Sequence, residues 1–386
     1  MPILWLIVLV QIILAVRVIV RLLSTTGGTT IAVDRRAWIP DGSISVVVPV
    51  YNEFDRLGSC LEKLISCGRE VREILVVDGG SIDGTQKIVE SFAQTDPRVR
   101  PIDATPTPPG WNGKAWNLEC GLLASSPESK WIATIDADVR VRSALLTAMV
   151  NHAQNRKVKA LSVATKQELA DRASGIIHPA MLTTLVYRHG LPGNATKNPR
   201  DVQANGQCFL ARRELLIATN AFARARTSVC EDVTVARILA KAGHRVGFYE
   251  AAGELAIVRM HDSWRAIWQN WPRSLTLRDG MAPRDNALGL AEVLFVQALP
   301  LVILFLLLLG GHGSLQRSAA FAVNGFLLAL RVGVLFGTRR AYRNSTWTYW
   351  LSPFADLPVA AALLTSALRR RHTWRGRPLV MSERIT

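Results

Sequence analysis

Two aspartates one residue apart, Asp136 and Asp138 in "TIDADVR", follow the apolar run "WIATI". Like charges that close repel, so the pair calls for a cation or a cationic partner. Other polar clusters also follow apolar runs: Val50, Tyr51 and Glu53 in "VVVPVYNE", and Asp78 and Asp83 in "ILVVDGGSIDGT". Glu231 and Asp232 stand in "VCEDVTVARIL", and "GWNGKAWN" is a turn opening a helix, whose amides and Lys114 can face phosphate. Each cluster has a bland counterpart: Asp and Gly close turns, Asp232 suits an ordinary N-cap, and Trp111 and Trp116 suit packing. His178, His189 and His261 form no pair with metal spacing, so none is assigned as a ligand. No G-x-S-x-G elbow and no G-x-x-x-x-G-K-[ST] loop occurs, which removes the usual hydrolase and NTPase motifs.

The elements that must position these residues lie between 43 and 285, a block without low-complexity linker or repeat. Its first half alternates: strand "SISVVVPV", helix "LGSCLEKLISC", strand "REILVVD", helix "GTQKIVESFA", strand "RVRPIDA", helix "GKAWNLECGLLAS", strand "WIATIDAD". Continuous Val and Ile strands alternating with amphipathic helices mean a parallel sheet covered on both faces, an α/β fold of Rossmann-like outline. In such sheets ligands bind beyond the carboxyl ends of the strands. "YNE", "DGGSIDGT" and "DAD" all fall at those ends.

The remainder is apolar. Of 386 residues 49% are hydrophobic and mean hydropathy is +0.18, which points to a membrane portion. Residues 3–23 are apolar for about the ~20 residues of a bilayer span, with no basic segment before them and no small-x-small site after, so they predict a retained anchor rather than a signal peptide. Residues 290–311 and 319–337 predict two further spans joined by a short hairpin. Residues 350–368 contain Pro353, Asp356 and Pro358 between basic clusters, so a re-entrant or interfacial segment competes there with a full span. Net charge is +16, yet much of the excess flanks apolar spans, where it orients the chain and meets anionic lipid. Nucleic acid is therefore not an expected partner. Cys60, Cys67, Cys120, Cys208 and Cys230 show neither C-x-x-C spacing nor an even count, and read as reduced, partly buried thiols.

In order and spacing, "VVVPVYNE", "ILVVDGGSIDGT", "TIDADVR" and "CEDVTVARILAKAGHRVGF" resemble family 2 glycosyltransferases of the GT-A fold, over roughly 43–280. "PPGWNGKAWNLECGL", "WQNWPRSLTLRDG" and "WLSPFADLPV…TWRGR" look like membrane-bound members that glycosylate lipids, the bacterial carotenoid and hopanoid-associated enzymes. The resemblance implies a GT-A (Rossmann-like, nucleotide-diphospho-sugar transferase) domain flanked by transmembrane helices. Its parts would be an anchor at 1–24, a GT-A domain at 43–285 and a C-terminal membrane region at 286–386. The GT-A domain would comprise a nucleotide-sugar half (43–150) and an acceptor half with an interfacial helix (151–285).

Asp136 and Asp138 would be the D-x-D motif holding Mg²⁺ or Mn²⁺ against the diphosphate, Asp138 on the metal and Asp136 toward the ribose or diphosphate. Asp78 would read base or ribose; with Gly79 where relatives often carry a second aspartate, base recognition would rest on Asp78 alone or on Asp83. Val50, Tyr51 and Glu53 would line the same pocket, Lys114 would meet the diphosphate, and Asp232 would be the catalytic base. Gln269 and Arg273 resemble the Q-x-x-R-W segment, though four apart and with Ser274 in place of the tryptophan.

The activity implied is inverting, metal-dependent transfer from a nucleotide sugar such as a UDP-sugar to a hydroxyl of a carotenoid or other lipid. A processive polysaccharide synthase and a non-enzymatic lipid- or nucleotide-binding scaffold are the alternatives. Nucleotide sugars are cytoplasmic, so the catalytic domain of a multi-pass plasma-membrane protein is expected inside. That fits Arg17, Arg21, Arg35 and Arg36 after the first span and puts the loop near His312 outside.

Overall fold

A computed structural model describes the chain apart from residues 1, 35, 277–278, 310–313, 370–371, 375–376 and 380–386. Helix α1 (Pro2–Thr25) comes first, followed by β1 (Thr30–Ile31), β2 (Ile44–Val50), α2 (Phe54–Ile65), β3 (Val71–Asp78), α3 (Thr85–Thr95) and β4 (Val99–Asp103). Next are α4 (Gly113–Ala124), β5 (Trp131–Ile135), β6 (Val139–Val141), α5 (Leu145–Asn155), β7 (Ala160–Ala164), β8 (Lys166–Gln167) and α6 (Ser174–His189). After these come β9 (Asn194–Thr196), β10 (Cys208–Arg212), α7 (Arg213–Ala218), α8 (Ala221–Arg224), α9 (Glu231–Lys241), β11 (Val246–Ala251) and β12 (Ala256–Val258). The last part holds α10 (Trp264–Leu275), α11 (Pro283–Glu292), α12 (Leu299–Leu309), α13 (Leu315–Thr338), α14 (Asp356–Leu368), β13 (Thr373–Trp374) and β14 (Arg377–Pro378).

The chain divides into two compact units. One comprises 27–167, 192–260 and 373–386; the other comprises 1–26, 168–191 and 261–372. The contiguous 43–285 block expected from sequence is thus interrupted: α6 and α10 belong to the helical unit, and the C-terminal hairpin β13–β14 belongs to the sheet unit.

In the sheet unit the strand order is β1-β11-β7-β10-β5-β2-β3-β4, with β9 on β11. Strands β5, β2, β3 and β4 are parallel, as the alternating pattern predicts. All seven residues of β2 are buried, which is why the strand reads as unbroken apolar sequence. Helix α2 buries Leu57, Cys60, Leu61 and Leu64, one stripe at 3.6-residue spacing that packs it on the sheet. Strand β10 runs antiparallel between β5 and β7, so the sheet is mixed. The pairing of β2 with β3 sets Val50 opposite Asp78, and that of β3 with β4 sets Asp78 opposite Asp103. The polar residues after these strands therefore emerge along one edge.

Among the described residues of the helical unit four stretches are long and apolar enough to cross a membrane: Ile3–Thr25, Pro283–Leu309, Leu315–Ala341 and Trp347–Leu368. The last begins as a tight 3₁₀ stretch, Trp347–Ala355, before α14. Outward faces carry Leu6, Leu9, Ile13 and Val16 on α1 and Phe321, Phe326 and Phe336 on α13, all exposed. A surface that apolar marks contact with a membrane or a partner protein.

Several polar side chains inside the bundle are paired with one another. Gln11 Nε2 donates to Asn324 Oδ1 at 2.8 Å, and Gln297 Nε2 donates to Asp356 Oδ1 at 2.8 Å. Arg17 and Arg21, read from sequence as orienting charges, both pair with the buried Glu292, at 3.0 and 2.8 Å. A carboxylate taken out of water needs such partners, and sequence alone does not reveal the pairing. Arg35 and His312, which carried part of the topology expectation, lie outside the described residues.

Arg331 and Asp356, 2% and 3% exposed, meet at 2.8 Å, and Arg331 also reaches Ser352 at 3.0 Å. Removing one partner of a buried pair leaves an uncompensated charge. Arg331→Ala is thus expected to cost about 3–5 kcal/mol, while Arg331→Met combined with Asp356→Leu restores most of the loss. Thermal unfolding in detergent micelles checks both; an unchanged midpoint in the single variant would refute the pairing.

Candidate active site

Asp136 follows the last residue of β5, and Asp138 lies in the turn before β6. Their surroundings are acidic: Asp136 and Glu53 both act on Asp138. Burial first, and then these two charges, push the Asp138 carboxyl up to about 7. Asp138 Oδ1 is buried and has no hydrogen-bond partner among the described residues. An unpartnered buried carboxylate oxygen in an acidic surround fits a hard divalent cation. Among the described residues no three His, Cys, Asp or Glu side chains converge to hold a metal. A cation on Asp138 would therefore complete its coordination from outside the chain, as a diphosphate can.

Lys114, in the first turn of α4, places its Nζ 2.8 Å from Asp136 Oδ1 and 2.8 Å from Glu231 Oε1. Burial opposes its charge, but Asp136, Glu231 and Asp232 together hold its pKa well above the ordinary lysine value. Lys114 thus ties the D-x-D turn to the start of α9, and the diphosphate role read from sequence meets an ammonium already shared by two carboxylates.

Asp232 sits one residue inside α9; the cap position belongs to Cys230, which makes no side-chain cap bond. Val233 N donates to Asp232 Oδ1 at 2.8 Å, and Gly206 N donates to Oδ2. Burial, then the charge of Glu231, push its carboxyl up to about 6 against the opposing pull of Lys114.

The turn 205–207, which the sequence reading missed, joins the two acidic groups. Gln207 O accepts from Asp136 N at 3.2 Å, while Gly206 N serves Asp232. Asn205 Nδ2 donates to Gln207 Oε1 at 3.0 Å and its N to Ser162 Oγ at 3.1 Å, holding the turn in place. A Cβ on Gly206 would stand 3.1 Å from Asp232 Oδ2 and 3.2 Å from Lys114 Nζ. A larger residue there would press on both side chains. The available signal was "ANGQC", a turn sequence immediately before an apolar strand.

At the β2–β3 edge, Asp78 is occupied by its own loop: Gly80 N, Ser81 N and Ser81 Oγ donate to Oδ1, at 3.1, 2.9 and 2.7 Å, and Gln86 Nε2 donates to Oδ2 at 2.9 Å. Asp83 is exposed and accepts from Thr85 N and Phe54 N at 3.0 Å each, which fastens the β3–α3 loop to the start of α2. Both acids thus also hold the loop that carries them. Asn117, also missed, donates its Nδ2 to Val50 O and Val77 O at 3.1 Å each, pinning the ends of β2 and β3. A Cβ on Gly79 would meet the Asn117 amide at 3.1 Å, so the space a second aspartate would need is taken. Val50 is buried in the strand, Glu53 lies buried at the head of α2, and Tyr51 is half-buried beyond β2.

Trp111 and Trp116 pack edge to face at 5.1 Å, and Trp116 Nε1 donates to Ala104 O at 2.7 Å, so Trp116 packs rather than facing ligand. Gln269, exposed, and Arg273, half-buried, lie on α10 of the helical unit. His178 is buried against Trp271 and Tyr342. The five cysteines form no disulfide, and all but Cys120 are buried.

A sheet whose parallel strands end in a D-x-D turn, with an antiparallel strand whose preceding turn bonds a second acidic group on the next long helix, is the GT-A architecture. Residues 45–218 match the model of the family described as Glycosyl transferase family 2. The chain is 36% identical over 107 residues to the lipopolysaccharide core biosynthesis glycosyltransferase LpsC of Rhizobium meliloti, covering 28% of this chain and 36% of that protein. It is 32% identical over 105 residues to the dolichyl-phosphate beta-glucosyltransferase of Dictyostelium discoideum, covering 25% and 30%. The chain spans about a third of the length of either relative. The mannosyltransferase PcManGT from Pyrobaculum calidifontis, solved with GDP-Man and Mn2+, shares the fold at TM-score 0.54 and 20% identity, over 93% of this chain and 99% of that one.

Proposed function

We propose that this chain transfers a sugar from a nucleotide sugar to a hydroxyl of a hydrophobic membrane acceptor, a carotenoid or other lipid, with inversion at the anomeric carbon. The observation that carries the reading is one connected acidic network. Asp136 and Glu231 share Lys114, the 205–207 turn bonds both Asp136 and Asp232, and Asp138 keeps an unpartnered oxygen beside them.

Asp232 is the base. It takes the acceptor hydroxyl's proton as that oxygen bonds to the anomeric carbon, and the bond to the diphosphate breaks with its electron pair leaving on phosphate. A Mg²⁺ or Mn²⁺ ion on Asp138, with Asp136 beside it, would neutralise the departing nucleoside diphosphate. Gly206 N and Lys114 fix the base and the D-x-D turn in one frame. Val50, Tyr51 and Asp78 mark the nucleotide edge, and Gln269 and Arg273 remain candidates for the diphosphate. The four apolar stretches support a membrane acceptor, as does the dolichyl-phosphate named for one relative. The sheet unit faces the cytoplasm of a multi-pass plasma-membrane protein, where nucleotide sugars are made.

The test is purified full-length chain in lipid, given labelled UDP- and GDP-sugars and a lipid extract. Label is expected in an organic-soluble product, is lost on chelation and returns with Mn²⁺ or Mg²⁺. Polymer formed from donor alone would replace the reading with a processive synthase. No turnover of any nucleotide sugar would overturn it.

A further inference from the structure

The C-terminal hairpin brings a cation to the nucleotide edge. Strands β13 and β14 pair with Trp374 opposite Arg377. The Arg377 guanidinium carbon lies 3.6 Å from the centroid of the Tyr51 ring, and Nη1 donates to Gly79 O at 3.0 Å. Nη1 is 3.8 Å from where a Gly113 Cβ would stand, and Nη2 is 3.8 Å from that of Gly80. One side chain therefore touches the segments that follow β2, β3 and β4, at the carboxyl edge where α/β sheets take nucleotides.

The charge there is unanswered. Arg377 has no acidic partner among the described residues; its hydrogen bond goes to a neutral carbonyl. The other cation of this edge, Lys114, is already neutralised by Asp136 and Glu231. A guanidinium carries five N–H donors in one plane. Stacking on Tyr51 fixes that plane and leaves most of the donors for a ligand.

We infer that Arg377 is a donor-binding residue, delivered to the site by the C-terminal hairpin, that recognises the nucleoside diphosphate by charge and hydrogen bonding. This rests on the transfer reading above. Arg377, which follows the last apolar stretch, then completes the nucleotide site and acts on the donor.

Full-length protein, Arg377→Ala and Arg377→Lys are compared for binding of UDP and GDP with Mn²⁺ by calorimetry, and for KM and kcat with the donor. Charge-assisted hydrogen bonds lost from a site of this kind correspond to about ten- to a hundredfold in affinity. Arg377→Ala is expected to weaken nucleoside diphosphate binding and raise the donor KM by that factor, with kcat within about twofold. Arg377→Lys recovers part of the loss, because charge returns without the planar stack. Thermal midpoints equal to wild type show that the hairpin still folds. Unchanged affinity in Arg377→Ala would reduce Arg377 to a pin for the tail, and tighter binding would make it a plug that competes with the nucleotide; either overturns the inference. A wild-type protein that binds neither UDP nor GDP overturns the transfer reading instead.

Discussion

Asp232→Asn is expected to lower turnover by about 10²–10⁴-fold, the usual contribution of a positioned general base, while nucleoside diphosphate binding survives. Asparagine keeps an acceptor oxygen for Gly206 N or Val233 N, so the link between the 205–207 turn and α9 is retained. What is lost is the ability to take a proton. The same substitution should change the pH profile. Asp232 is pushed up to about 6, chiefly by burial and then by Glu231, and a base acts only when deprotonated. Wild-type kcat is therefore flat above about pH 6 and falls about tenfold per unit below it, whereas the residual rate of Asp232→Asn lacks that acid limb. Turnover within a few-fold of wild type would remove Asp232 from the chemistry. Loss of donor binding together with a lowered melting point would show that its part is to hold α9 to the turn.

Asp138→Asn should move activity and stability in opposite directions. Transfer is expected to fall at least about 10²-fold, because a neutral amide holds a divalent cation weakly. The metal-free protein, however, should melt higher than wild type at pH 8. There the wild-type carboxylate is buried beside Asp136 and Glu53, and neutralising it relieves that repulsion. The rise in melting point that Mn²⁺ plus UDP or GDP confers on wild type should be absent from the variant. Differential scanning calorimetry reads both effects. A variant that is still stabilised by Mn²⁺ with nucleotide would show that Asp138 is not where the cation binds.

The sequence by itself determined the parallel half of the sheet and the edge at which its ligands sit. Period and composition suffice there: strands buried on both faces must be written in Val and Ile, and their polar continuations mark their carboxyl ends. It also determined the apolar stretches, because a bilayer span is a local property of about 20 residues. What it could not decide is which distant segments meet. Strand β10 places Gly206 and Gln207 between Asp136 and Asp232 through an antiparallel pairing that no local period announces. Asp78 and Asp83 carry the composition of ligand-binding acids, and only the coordinates show that their hydrogen bonds also hold their own loop in place. Glu292 and Asp356 look like flaws in apolar runs until Arg17, Arg21 and Arg331 are seen to neutralise them. Arg377 reads as one more basic residue of a tail, and its seat on Tyr51, more than three hundred positions earlier in the chain, exists only once the hairpin has folded onto the sheet unit. Long-range contacts of this kind depend on loop closure and three-dimensional packing, and neither leaves a periodic trace in the residues themselves.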